Sequence, residues 1–259
     1  MRTARFLVAF LVVAGVARAT DLPDIEKKGT LRVLSISFAD VPSFYAVNSF
    51  DLDLLEGFAR LHHLQIEPVH VPTYGDLIPA LLGGKGDIVA GGVTITPARR
   101  KLIDFSAETF PSRMLVMTRK PHAVVQSLDA LRSEKKLGTE KGTSWAQATM
   151  DAGVPAANVD DSIPLQDLPD ALKSGKITAA IFELNVAITA QARDPELQAG
   201  LFVGPPGSQA YGVRKGDTGL LKALNEYIEN TRHTPSWNRL VVKFFGANAP
   251  EVLKRSSQQ

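Results

Sequence analysis

The 259-residue chain contains no cysteine. Disulfides, thiolate zinc sites, iron–sulfur clusters and thiol catalysis are thereby excluded. Aromatic residues are scarce at 7%, yet 44% of the chain is hydrophobic, too much for a disordered protein and enough for one large or two medium domains. The five histidines form no HxxxH or HxxE spacing, so neither a metal nor another cofactor is expected. A Gly-x-Ser-x-Gly elbow and a Walker loop are also missing. The apolar run at residues 6–14 is too short to cross a bilayer, which takes about 20 residues. No later run is long enough either.

What is present begins with an address. Arg2 and Arg5 precede the apolar run, and Ala17-Arg18-Ala19 closes it with a small-x-small site, the pattern of a cleaved secretory signal over residues 1–19. No cysteine follows the cleavage point to carry a lipid, so a free exported protein of the periplasm is expected. The formal charge of +2 includes Arg2, Arg5 and Arg18; without them Lys+Arg falls from 29 to 26 against 27 Asp+Glu. A chain so nearly neutral is not expected to bind nucleic acid.

From Thr20 onward, β-branched runs alternate with stretches of helical spacing. Residues 31–36, 87–90, 113–117 and 179–182 read as strands. Leu54, Phe58 and Leu61, and later Leu221, Leu224 and Ile228, recur at i, i+4, i+7, and Asp217 is placed to cap the second helix. Such alternation implies α/β layers. Residues 80–85 and 171–176 share four of six positions, and each copy leads from a helix through glycine into an apolar strand. Either this is coincidence, or the chain holds two similar lobes with Gly92 and Glu183 at matching strand ends. In the second case both face one cleft, because ligands of open α/β sheets bind beyond the carboxyl ends of strands.

The stretch 91–106 carries the most chemistry. Thr96-Pro97 is a helix start, which puts Arg99 in the first turn. A cation there opposes the helix dipole unless it shares a bound anion with the backbone amides. The residues alone leave an anion site and a surface arginine both open.

Gly92-Val93-Thr94-Ile95-Thr96-Pro97-x-Arg99 with Asp104-Phe105-Ser106 resembles the signature of the family 3 periplasmic solute-binding proteins of amino-acid ABC importers. The likeness spans nearly the whole mature chain. It includes Gly29-x-Leu31-Arg32-Val33, Phe50-Asp51-x-Asp53-Leu54, Gly142-Thr143-Ser144 and the run from Tyr211 to Asp217. It implies a two-lobed type II periplasmic-binding fold, each lobe a mixed sheet flanked by helices, with a two-crossover hinge. Lobe 1 is expected at residues 20–118 plus 207–259, and lobe 2 at 119–206.

By the same resemblance Arg99 pairs with a ligand carboxylate, Thr94 offers a hydroxyl and amide, and Gly92 offers a carbonyl to the ligand ammonium. Thr143 and Ser144 open a helix over residues 145–150, with Ser144 as cap. Tyr74 packs on the ligand, unless it is a core tyrosine. Glu183 stands where the family usually has aspartate, either to meet the ammonium or to pair with Arg99. The early acidic and aromatic pattern is missing from residues 37–42, although Asp40 lies nearby. The implied protein is a non-catalytic monomer that hands an amino acid or small carboxylate to an ABC permease. A cyclohexadienyl-dehydratase-like enzyme and a sensing module for a signalling or cell-wall partner are the alternatives.

Overall fold

The structure is a computed structural model that describes residues 21–36, 42–247, 249, 250 and 253. The expected leader and Asp40 lie outside the described residues. In chain order the first half runs α1 (Leu22–Lys28), β1 (Thr30–Ile36), α2 (Pro42–Leu61), β2 (Gln65–Val71), α3 (Tyr74–Leu82), β3 (Ile88–Val89), α4 (Pro97–Leu102) and β4 (Asp104–Phe105). The chain continues through β5 (Phe110–Arg119), α5 (Leu128–Ser133), β6 (Leu137–Gly138), α6 (Ser144–Asp151), β7 (Val159–Asp160), α7 (Leu168–Ser174), β8 (Ala179–Glu183), α8 (Leu184–Arg193) and β9 (Leu197–Gln209). It returns through β10 (Gly212–Val213), α9 (Thr218–Arg232) and α10 (Pro235–Phe245). No helix among the described residues is long and apolar enough to cross a membrane.

Two five-stranded mixed sheets result, ordered β2-β1-β3-β10-β4 and β7-β6-β8-β5-β9. In each, three parallel strands are followed by an antiparallel neighbour contributed from elsewhere in the chain. We call the halves built on these sheets lobe 1 and lobe 2. The repeat seen in the sequence is the passage α3–β3 in one lobe and α7–β8 in the other, and β3 and β8 hold the central place of their sheets. Gly175 ends α7 in a left-handed conformation, φ 73°, which a side chain would strain.

The changeover between sheets differs from the expected boundary after Thr118. β5 lies wholly in the second sheet, paired antiparallel with β8 and β9, so the first crossing falls between Phe105 and Phe110. The reason is the length of the β5–β9 ladder, which starts at Phe110↔Gln209 next to lobe 1. The lobes also touch through helices, since α8 packs against α2 and α10. Phe50 of α2 meets the rings of Phe110 and Trp237 edge-on, at 5.6 and 5.4 Å.

Three local expectations change. Leu54 and Phe58 are fully buried on α2, but Leu61 is 63% exposed at the helix end, where none of the described elements covers it. The buried stripe of α9 is Leu220, Leu224 and Ile228, with Leu221 at its margin. Asp217 stands at the start of α9 without a capping bond; its carboxylate faces Arg214 at 3.1 Å. The first-turn amides of Gly219 and Leu220 donate instead to the carboxylate of Asp21, at 3.0 and 2.7 Å.

Candidate functional site

The site forms where the central strands of the two sheets end against each other. In lobe 1, β3 runs into Gly91 and Gly92, both in left-handed conformations with φ of 96° and 73°. Consecutive glycines let the chain turn there without Cβ strain. Their amides donate to Asp51 Oδ2 of α2, each at 2.8 Å, and the Tyr74 hydroxyl donates to the Gly91 carbonyl at 3.0 Å. Burial raises Asp51 to about 6 even though these two amides favour its ionised form. The turn leads to Thr94, which bridges to Gln209 at the end of β9 and so ties lobe 1 to the long strand of lobe 2.

Arg99 sits in α4 as the Thr96-Pro97 start requires. The Thr96 hydroxyl accepts from the Arg99 amide at 3.2 Å. The guanidinium turns inward and donates Nη1 to the Thr94 carbonyl at 2.8 Å. Burial lowers its pKa from the ordinary value, opposed by Tyr74 and Glu183. The surface-arginine alternative therefore does not describe it.

Lobe 2 supplies Glu183 at the end of β8. It is 3% exposed, and its Oε1 accepts from Ser112 Oγ of β5 at 2.8 Å and from Thr94 Oγ1 of lobe 1 at 3.0 Å. Oε2 has no hydrogen-bond partner among the described residues. Burial pushes the carboxyl up; the Ser112 and Thr94 hydroxyls, the Arg113 amide and the Arg99 charge pull the other way. Glu183 and Arg99 form no direct ion pair, because Thr94 stands between them, bonded to one through its carbonyl and to the other through its hydroxyl.

Thr143, not Ser144, caps α6: its Oγ1 accepts from the Ala146 amide at 3.1 Å. The capping position falls one residue earlier because the helix includes Ser144. That frees the Ser144 hydroxyl, which reaches Thr94 Oγ1 across the lobes at 3.5 Å. Trp145 of the same helix stacks on Phe182, ring centroids 5.5 Å apart, which fixes α6 against the strand that carries Glu183.

Tyr74, Gly92, Thr94, Arg99, Thr143, Ser144 and Glu183 thus line one cavity, shared with Trp145, Leu165, Asn185, Val186 and Gln209. Tyr74 is half-buried, packed against the core on one side and a wall of this cavity on the other. The cavity is about 20 Å3, room for about one water, so the lobes are shut on each other. Ser112, Gln209 and Asn185 carry no local signal in the sequence, and Asp51 meets the glycine turn, 40 positions along the chain, only through the fold. A cationic group and an acidic group on opposite lobes, set among hydroxyls and amides, suit a small dipolar guest.

The profile of the bacterial extracellular solute-binding proteins, family 3, matches residues 45–247. The chain belongs to that family. Among similar family 3 sequences is a probable histidine-binding protein of Neisseria gonorrhoeae, 28% identical over 224 residues, covering 84% of this chain and 82% of that protein. The crystal structure of a mutant of ArgBP from T. maritima matches with TM-score 0.75 at 27% identity, covering 87% of this chain and 99% of the other. That of an ancestral amino acid-binding protein, AncCDT-1, described as a precursor of cyclohexadienyl dehydratase, matches at 0.76 and 28%, covering 86% and 99%. The family 3 fold of two mixed sheets flanked by helices is therefore the type II periplasmic-binding architecture.

Proposed function

We propose that this family 3 protein is exported to the periplasm, captures an amino acid between its lobes, and delivers it to an ABC-type permease. The observation that carries the reading is the placement of Arg99 and Glu183 on opposite sides of one cavity, joined through Thr94. An α-carboxylate takes the guanidinium in place of the Thr94 carbonyl, and an α-ammonium takes the unpartnered Glu183 oxygen. Each lobe holds one end of the zwitterion, so binding favours the shut form by contacts available only there. A cavity of about 20 Å3 is far smaller than an amino acid, so the lobes part to admit one. The crossings near residues 106–109 and 210–211 are where that motion pivots in this reading.

The test is calorimetry and thermal melting of wild type and Arg99→Ala with a panel of amino acids. Loss of the guanidinium costs about 2–5 kcal/mol of binding and abolishes ligand-induced stabilisation. Unchanged affinity in the variant refutes the assignment.

One observation favours a second reading. Burial raises Glu183, the direction that suits a proton donor, and it lies in the same cavity as the Arg99 carboxylate clamp. Incubation with prephenate and arogenate, followed by product detection, separates a dehydratase from a receptor.

A further inference from the structure

Behind Tyr74 a second cavity, of about 250 Å3, opens beside the ligand cleft. Its walls include Ile36, Thr73 and Tyr74 from lobe 1 and Glu140, Ser162 and Gln166 from lobe 2. Tyr74 lines both spaces, and Leu165 of the cleft lies in the same turn of chain as Gln166, so the two spaces are neighbours with Tyr74 as a common wall.

Among the described residues, the Gln166 amide is the one neutral group there with donors to spare, and Glu140, Thr73 and Ser162 present acceptors. Glu140 Oε2 accepts from the Leu165 amide at 2.8 Å, and Glu140 forms no ion pair among the described residues. The Thr73 hydroxyl gives its proton to Asp76 at 2.7 Å, and the Ser162 hydroxyl gives its proton to Asp160 at 2.6 Å. Both hydroxyls therefore present only lone pairs to the cavity. A half-buried carboxylate flanked by spent hydroxyls lacks a donor of positive charge.

We propose that this cavity seats a positively charged side chain, so that the guest is a cationic amino acid whose distal ammonium, imidazolium or guanidinium meets Glu140. The inference rests on the receptor reading, which places the ligand's head group between Arg99 and Glu183. It adds a determinant contributed by lobe 2 at the far side of Tyr74. Burial and the neighbouring charge of Asp167 both raise Glu140, and a cation arriving beside it relieves that unfavourable setting.

The experiment titrates the full chain by calorimetry with L-arginine, L-lysine and L-histidine, using neutral L-citrulline and L-glutamine as comparators. Wild type is expected to bind at least one cationic amino acid about tenfold or more tighter than either neutral one. Glu140→Gln keeps the acceptor for Leu165 and is expected to reduce that ratio about tenfold. Gln166→Lys, which adds a repelling charge in the same space, reduces it as well and covers the case of a Glu140→Gln chain that does not fold. Amino-acid binding with the neutral ligands equal or tighter overturns the inference and leaves the receptor reading standing. So does a ratio unmoved in both folded variants. Binding of none of the five while another amino acid binds also overturns the inference; no binding across a full amino-acid panel, or indifference to Arg99→Ala, overturns the receptor reading itself.

Discussion

Asp51→Asn separates what the glycine turn needs from what its charge costs. Asp51 is buried, and a single oxygen accepts both the Gly91 and Gly92 amides. An asparagine carbonyl oxygen can occupy that position and keep both bonds without a charge to desolvate. The carboxyl is raised from 3.8 to about 6, so the folded state holds its proton more tightly than the unfolded chain. Stability from this group is therefore full below pH 4 and is lost as pH rises through 6. The total is about 3 kcal/mol, from roughly two pKa units at 1.36 kcal/mol each. Between pH 7.5 and pH 5 the part regained is about 1.4 kcal/mol, or about 3–5 °C in melting temperature for a chain of this size. Asp217, raised to about 6 by burial, acts in the same direction, so the comparison needed is wild type minus variant at each pH. Melting measured by circular dichroism should show the variant equal to or above wild type at pH 7.5, with a shallower gain on acidification. A variant that melts lower at pH 7.5 and keeps the full wild-type pH slope would show that Asp51 does not carry this charge.

Two further outcomes follow from the same geometry. Glu183→Gln retains an acceptor for Ser112 and Thr94 and removes a charge that burial penalises. Its melting temperature at pH 7.5 should match or exceed wild type, while amino-acid affinity falls about tenfold or more because the ammonium loses its anion. Gly200→Ala on β9 would set a Cβ 2.3 Å from the Val125 carbonyl and 3.3 Å from that of Val116, both backbone atoms that cannot step aside. Denaturant unfolding should record a loss of about 2 kcal/mol.

Part of this protein is written locally. Thr96-Pro97 starts α4 and places Arg99, because capping and a fixed proline φ act within one turn of chain. The alternation of strand and helix, and the echo that marks β3 and β8 as equivalent, are likewise visible in short windows. Glu183 and Gly92 could be named as partners in one cleft on that basis. Other features depend on residues far apart in sequence. Periodicity reveals which face of α2 is apolar but not that the fold leaves Leu61 uncovered at its end. Asp217 has the right spacing to cap α9, yet a buried arginine takes it and Asp21, 198 positions earlier than Gly219, does the capping. Ser112 reaches Glu183 only because β5 pairs with β8, and Asp51 reaches Gly91 only because α2 packs beside the β3 end. Local sequence determines backbone propensity and side-chain chemistry; which polar group satisfies which buried partner is decided when distant segments exclude water together.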